Sequence, residues 1–408
     1  MSAQRLTLPG IPNLHSHAFQ RAMAGLTERQ SNPTDSFWTW RELMYRFAAR
    51  MTPDSMRAIA AQAYVEMLEA GYTTVCEFHY LHHQPGGKPY LEPAAMAQAL
   101  VQAARDTGIR LTLLPVLYMH GGFDARPLSE RQRRFGHSVE DFLKLVSTLR
   151  QAESDTLRVG LAFHSLRAVH EPALREVLEA EGHERPRPIH IHVAEQVAEV
   201  EECVKLRGAR PVRWLLDHAE VDARWTLVHA THLLADEIEG IADAGATVAI
   251  CTTTEANLGD GLFPLKAFLD AGGRFGIGSD SNTSISPVEE LRWLEYGQRL
   301  QARQRNIAVD YSETSVGALL FNHAVKEGVV ACGQPKAAED VLVLDHDAPS
   351  LMGATEKDLH DRFVFAGNRN LVKEAWVAGK RVVADGRHGM RDKVAAEYRE
   401  AMRTLLSA

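Results

Sequence analysis

Histidines and carboxylates recur in this chain at spacings that suit metal chemistry. Leu14-His15-Ser16-His17 puts two imidazoles at i and i+2, which share one face of an extended segment. His190-Ile191-His192-Val193-Ala194-Glu195 repeats that spacing and adds a carboxylate. Val228-His229-Ala230-Thr231-His232 and Gly278-Ser279-Asp280-Ser281 offer more ligand-type side chains. Each has a plain structural reading when taken alone: His190 and His232 can hydrogen-bond within a wall, and Asp280 can cap a helix. Brought to one place, they read as a catalytic metal site, which needs three nitrogen or oxygen ligands and an open position for water. A bound Zn²⁺ lowers the pKa of its water to about 7. Asp280 beside it could ligate the metal and take the water's proton, and Glu195 could carry a proton to a leaving group. His229 could orient the nucleophile or polarise the electrophile. The chain has no H-E-x-x-H, which excludes a zincin protease at the level of motif.

These residues must be held by elements, and the pattern around them is regular. Short, almost continuously apolar runs cover 10–14, 73–78, 111–117, 159–163, 189–192, 225–229, 248–251 and 275–278. Such runs suit parallel strands covered on both faces. Amphipathic stretches lie between them at 52–71, 94–104, 139–149, 173–180, 197–204, 235–244, 265–269 and 288–300. The first is the clearest: Thr52 is an N-cap, Pro53 opens the helix, Gly71 ends it, and Met56, Ala60, Ala63 and Met67 form its buried stripe. Eight strands alternating with eight helices predict an α/β fold, a (β/α)₈ barrel spanning 10–325. An open doubly wound sheet is disfavoured in its dinucleotide form, because no G-x-G-x-x-G follows the first strand. The four histidine and carboxylate clusters then fall at the ends of strands one, five, six and eight, the rim where barrel enzymes build active sites. Two long connections, after the first and third strands, lie at the same rim.

Beyond about residue 305 the pattern changes. A helix is expected at 314–327, strands at 340–344, 362–365, 372–377 and 379–386, and a last helix at 393–406. Residues 1–9 and 326–408 are assigned to a small β-rich, sandwich-like appendage.

Composition narrows the functional class. The 408 residues carry 45 Lys+Arg against 53 Asp+Glu, a net charge of −8, which disfavours nucleic-acid partners. No apolar run reaches the ~20 residues of a membrane span, and 1–14 has no signal-peptide character. Cys76, Cys203, Cys251 and Cys332 form no C-x-x-C pair, so reduced thiols and a cytoplasmic location are expected.

The His15-x-His17, His192-x-x-Glu195, His229 and Asp280 set resembles the amidohydrolase superfamily, in its mononuclear deaminase branch. Binuclear members place a carboxylated lysine at the end of strand four, where this chain reads Phe163-His164-Ser165. Longer stretches narrow the likeness. These are 12–21 from Pro12 to Arg21, Ser36-Phe37-Trp38-Thr39-Trp40-Arg41, Phe163-His164-Ser165-Leu166-Arg167, Glu255-Ala256-Asn257-Leu258-Gly259-Asp260-Gly261, and 289–298. They are similar to the N-formimidoyl-L-glutamate deiminase family of histidine degradation, over almost the whole chain. The resemblance implies one divalent metal, Zn²⁺ first and Fe²⁺ second, held by His15, His17, His192 and Asp280. It implies that Glu195, His229 and Asp280 act in catalysis. It also implies that Gln20, Arg41, Tyr118, His164 and Arg167 contact the substrate, and that the protein is a homodimer. The chemistry agrees with the last group, since Arg41 and Arg167 can clamp the two carboxylates of such a substrate. Relatives carry a longer N-terminal segment, so the small domain is expected to be short in its N-terminal part.

The plainer readings are that Arg41 only stacks on Trp38 or Trp40, that Arg167 pairs with a loop carboxylate, and that 255–261 is only a turn. His79, His82, His83 and His120 are expected either to support the ligands from behind or to lie at the surface, and not to ligate the metal. Two other functions compete. An aminohydrolase of a purine, pyrimidine or other heterocycle would share the metal chemistry but has no use for the arginine pair. A non-catalytic barrel scaffold should have lost a ligand.

Overall fold

The computed structural model describes residues 5–28, 37–182 and 186–407; Ser36 and the side chains of Phe37, Trp38 and Thr39 lie outside the described residues. Strand β1 (Thr7–Pro9) is followed by β2 (Ile11–Ser16), β3 (Tyr72–His79), β4 (Arg110–Leu117), β5 (Leu157–Val159), β6 (Leu161–Ser165), β7 (Ile189–Val193), β8 (Trp225–His229), β9 (Thr247–Ile250) and β10 (Arg274–Ile277). From β2 to β10 the strands run parallel and close on themselves through pairing of β10 with β2 and of β3 with β4. Strands β5 and β6 are one stave broken at Gly160, where a Cβ would stand 2.5 Å from the Pro188 carbonyl oxygen. The result is the eight-staved barrel expected from the alternating runs. Every residue of β2, β3, β4, β7 and β8 is buried, as strands covered by helices outside and packed side chains inside require.

Local chemistry sets the helix boundaries. Thr52 and Ser55 form a capping box at the start of helix Pro53–Ala70, and Gly71, at φ 108°, ends it. Met56, Ala60, Ala63 and Met67 are buried along that helix. A side chain at position 71 would also meet Leu342 at 3.1 Å, so the turn and the neighbouring sheet both select glycine.

The remaining strands, β11 (Val341–Leu344), β12 (Val372–Val377), β13 (Lys380–Ala384) and β14 (Arg387–His388), join β1 in a five-stranded antiparallel sheet. It packs beside helix Pro53–Ala70, as does the C-terminal helix Arg391–Leu406, whose Leu405 carbonyl accepts a bond of 2.7 Å from Arg50. Helix Val316–Ala331 lies against β10 and β2. A buried ion pair ties barrel to sheet: Arg110 on β4 donates to both carboxylate oxygens of Asp340 at 2.8 and 3.0 Å, and Asp340 also accepts from the Ala378 N–H at 2.9 Å.

One expected strand is a helix. Residues 362–365 belong to Leu359–Phe365, where Leu359 and Phe363 bury one face, Phe363 meets Phe321, and Asp358 pairs with Arg362 at i, i+4. A four-residue apolar run cannot distinguish the two periods, and tertiary packing decided. Among the described residues no helix is long and apolar enough to cross a membrane.

Candidate metal centre and active site

The barrel brings four of the expected ligands to one point at the C-terminal ends of its strands. His15 comes from β2 and His17 from just beyond it, His192 from β7, and Asp280 from just beyond β10. His15 Nε2 lies 3.1 Å from His17 Nε2, 3.0 Å from His192 Nε2 and 3.3 Å from Asp280 Oδ1, which is also 3.3 Å from His17 Nε2. Donors arranged tetrahedrally about a cation at about 2.0–2.1 Å stand about 3.3 Å apart, so the spacing fits a metal of that size.

Protonation agrees with that fit. His17 Nδ1 faces the Phe78 carbonyl and His192 Nδ1 faces the His164 carbonyl, both at 2.9 Å. A carbonyl only accepts, so each Nδ1 carries the hydrogen and each Nε2 offers its lone pair inward. Burial lowers all three histidines: His17 falls to about 3, His192 falls well below its ordinary value, and His15 also falls. Asp280 moves the other way from what burial alone would give. Its hydrogen bond with His15 and the neighbouring imidazoles hold it below the usual carboxylate range. Three neutral imidazoles and one carboxylate, with lone pairs converging, are the donor set of a divalent cation. Without one those lone pairs would repel.

Glu195 and His229 flank this centre. Glu195 is placed by a sharp turn in which Ala194 takes φ 52° and the Ala194 and Glu195 N–H groups donate to Glu199 at 3.1 and 3.0 Å. Burial, reinforced by Asp280 and Glu199, raises Glu195 to about 7. His229 closes β8 at φ 68°. Its Nδ1 bonds Glu255 Oε1 at 3.2 Å, and its Nε2 stands 3.9 Å from both Glu195 Oε1 and Asp280 Oδ2. Burial opposes a charge on His229, but Glu195, Glu255 and Asp280 outweigh it and raise the imidazole to about 10. Ala230, Asp280 and Asn282 also have positive φ, at 47°, 44° and 55°. Five of the ten positive-φ residues other than glycine among the described residues thus lie where these side chains leave the strands.

All five expected substrate contacts line one cavity with His17, His192, Glu195, His229 and Asp280. Gln20 sits in the 3₁₀ segment Ala18–Met23 and donates to the Tyr80 hydroxyl at 3.0 Å. Tyr118 follows β4, and its hydroxyl accepts from Gln132 at 3.0 Å. His164 lies on β6, and Arg167 follows in the next turn. Arg167 has no carboxylate within 4.0 Å among the described residues, so the loop ion pair is absent there. Arg41, on helix Phe37–Ala48, lies 5.3 Å over the Tyr45 ring. Trp40 lines the cavity, while the Trp38 side chain lies outside the described residues.

The roles of Tyr45, Tyr80, Glu199 and Glu255 were not read from the sequence. Tyr45 and Tyr80 line the cavity, Glu199 fixes Glu195, and Glu255 fixes His229. Tyr45 follows Arg41 by one helical turn and Tyr80 follows β3 directly, both visible signals. Glu255 opens the 255–261 stretch, in which Leu258 also reaches the cavity wall. His229, Cys251 and Glu255 form another close group, but the His229–Glu255 bond and the Cys251 N–H donated to Glu255 account for it. His82 and His83 bond the carbonyls of Val116 and Gly136 and pack with His79 and His137, and none of the four is among the converging donors. His120 bonds His170 at 2.9 Å.

Comparison with known proteins gives a consistent picture. The Amidohydrolase family matches residues 6–382. A formimidoylglutamate deiminase of Pseudomonas aeruginosa is 50% identical, over 99% of this chain and 91% of its own length. The crystal structure of an amidohydrolase from Brucella melitensis superposes with a TM-score of 0.93 at 46% identity, covering 98% of this chain and 90% of that one. An adenosine deaminase from Xanthomonas campestris with bound zinc shares the fold, with a TM-score of 0.82 at 20% identity over 99% and 87% of the two chains.

Proposed function

The chain belongs to the amidohydrolase family, and from that membership we propose that it is a metal-dependent deiminase converting N-formimidoyl-L-glutamate and water to N-formyl-L-glutamate and ammonia, a step of histidine degradation. The observation that carries this reading is the polarity of the cavity. Arg41 and Arg167 line it together with Glu195 and Asp280. A dicarboxylate that carries a cationic amidine has the complementary pattern of charge. A neutral heterocycle has no such need of two guanidinium groups.

The residues divide the work. Arg41 and Arg167 bind the two carboxylates, with Tyr45, Tyr118, Gln20 and His164 supplying hydrogen bonds around the chain of the substrate. This leaves the formimidoyl carbon beside Glu195, His229 and Asp280. A divalent cation held by His15, His17, His192 and Asp280 supplies Lewis-acid activation of water when bound. Asp280 takes the proton released as water adds to the formimidoyl carbon. The adduct is a tetrahedral carbon bearing OH, NH₂ and the glutamate nitrogen. Glu195 protonates the NH₂, the C–N bond to it breaks, and ammonia leaves. The hydroxyl proton passes to the Glu195 carboxylate as the formyl C=O forms, and the proton held by Asp280 leaves with the ammonia as ammonium. His229, fixed by Glu255, orients the attacking oxygen through Nε2.

The three-imidazole, one-carboxylate donor set suits Zn²⁺ first and Fe²⁺ second. The four buried, free cysteines suit a reducing, cytoplasmic setting. The homodimer follows from the family resemblance, and light scattering of the purified protein tests it.

The test of the reading is ammonia release from N-formimidoyl-L-glutamate by the zinc-loaded protein, with N-formimidoyl-L-aspartate, guanine and cytosine alongside. Turnover of the glutamate compound alone supports it. Turnover only of a ring compound replaces the substrate and leaves the metal chemistry standing.

A further inference from the structure

The C-terminal ends of strands β2 and β10, with the residues that follow them, carry three of the four metal donors, yet the two strands are barely paired. The ladder between them holds a single register pair, Ile277 with Asn13, followed by an isolated bridge of Ser16 with Asp280. Beyond the ladder the chain turns through positive φ at Asp280 and Asn282. A close backbone approach and a side-chain network do the joining instead. A Cβ on Gly278 would stand 2.8 Å from His15 Cβ, so glycine lets the two strands touch. The Asp280 N–H donates to the His15 carbonyl, and the His17 N–H donates to the Asp280 carbonyl, both at 2.9 Å.

Two fully buried asparagines complete the joint. Asn13 Oδ1 accepts the His15 and Ser279 N–H groups at 3.3 and 3.1 Å, and its Nδ2 donates to Ser279 Oγ at 2.7 Å. Ser279 Oγ donates onward to Asn282 Oδ1 at 2.7 Å. Asn282 Nδ2 lies 3.1 Å from each of three acceptors: Ser16 Oγ, the His17 carbonyl and the Asp280 carbonyl. The amide of Asn282 therefore touches the backbone of one imidazole donor and of the carboxylate donor at once. Asn13 touches the backbone of the other imidazole donor. An apolar side chain of similar size could fill the space but would leave those groups unpaired.

We infer that Asn282, linked through Ser279 to Asn13, is a positioning residue of the metal centre that sets the distance between the His15–His17 pair and Asp280. The inference rests on the metal-site reading above and adds to it the source of the site's affinity. Ligand-supporting hydrogen bonds of this kind carry about 10–100-fold in metal affinity. Asparagine also suits the backbone here, since it tolerates the left-handed conformation that Asn282 adopts.

The test uses the full chain and Zn²⁺ as the probe. Zinc content is measured by elemental analysis, affinity by competition with a chromophoric chelator, and stability by thermal unfolding of the metal-free protein. Asn282→Gly keeps the backbone free to hold φ 55° and removes the amide. Asn282→Asp keeps the shape and loses the donors. Ser279→Ala, milder than both, cuts the link between the two asparagines and covers the case in which neither Asn282 variant folds. Thr112→Val is the control: Thr112 is as deeply buried and donates to the Cys332 carbonyl at 2.7 Å, with no bond to His15, His17, Asp280 or either asparagine. The expected result is zinc binding weakened about 10–100-fold in the Asn282 variants and less in Ser279→Ala, with Thr112→Val binding as wild type despite lower stability. Unchanged zinc affinity in the Asn282 and Ser279 variants overturns the inference while the metal site stands. An equal loss in Thr112→Val also overturns it, because affinity would then only follow global stability. A wild-type chain that binds no zinc overturns the metal site itself and the inference with it.

Discussion

His229 bonds Glu255 through Nδ1 at 3.2 Å and turns Nε2 toward Glu195 and Asp280, 3.9 Å from a carboxylate oxygen of each. Glu255 therefore fixes the orientation of the imidazole, and it is one of the three carboxylates that favour its charged form. In Glu255→Gln the imidazole loses that charge, so its pKa falls from the wild-type position. We expect kcat to drop about 100-fold with KM and zinc content little changed. Steady-state kinetics with metal analysis checks this, and a change in KM alone would contradict it.

Glu195 stands near the metal donors without belonging to them. Glu195→Gln should keep its zinc and lose about 10²–10⁴-fold in kcat, the usual contribution of a proton-transfer group. His192→Ala, by contrast, should lose zinc as well as activity. Elemental analysis of the two purified variants separates the roles. Zinc loss in Glu195→Gln would make it a ligand instead.

Arg167 has no carboxylate partner within 4.0 Å among the described residues and faces the cavity. Arg167→Ala should lower kcat/KM for N-formimidoyl-L-glutamate by about 100-fold, mostly through KM, because the lost contact is made in ground and transition states alike. For formamidine, which has no carboxylate, the same variant should match wild type. Equal losses on both compounds would contradict the carboxylate clamp.

The packed histidines 79, 82, 83 and 137 give the fold an acid-sensitive region. Burial, helped by its neighbours, lowers His79 to about 3 and His137 to about 3. The native state keeps these imidazoles neutral, whereas the unfolded chain takes up protons near pH 6.5. Their contribution to stability is therefore whole above pH 6.5 and is lost as pH falls from there toward 3. At pH 5 a histidine so lowered costs about 2 kcal/mol relative to pH 7.5. His79→Gln should recover about that much of the pH-dependent loss, measured by urea unfolding at the two values. An unchanged difference would rule out His79 as a source of it.

The buried Arg110–Asp340 pair joins the barrel to the five-stranded sheet. Asp340→Asn leaves the guanidinium buried without its counter-charge and should cost about 3–5 kcal/mol. The double variant Arg110→Met, Asp340→Leu removes both charges and should cost less than the single one. Denaturant unfolding decides, and a double variant worse than the single would show that the pair itself stabilises the joint.

Much of this was legible in the residues, and for physical reasons. Thr52, Pro53 and Gly71 act through their own backbone preferences, so the first long helix could be read from them. Eight apolar runs with helices between them admit few closed arrangements. The H-x-H spacing points both imidazoles one way whatever surrounds it. What was not legible depends on packing across the barrel. The 362–365 run could be strand or helix until Phe321 met Phe363. Glu255 meets His229 only because the ends of β8 and β9 are neighbours. Asn282 lies 269 residues from Asn13, and the two are joined only when β10 pairs with β2 to close the barrel.

The most direct test of the account is a zinc titration of metal-free protein, following ammonia release from N-formimidoyl-L-glutamate. The account predicts no turnover without metal, a linear rise that saturates at one zinc per chain, and N-formyl-L-glutamate formed in equal amount to ammonia. Full turnover in rigorously metal-free protein, or none in protein holding one zinc per chain, would contradict it.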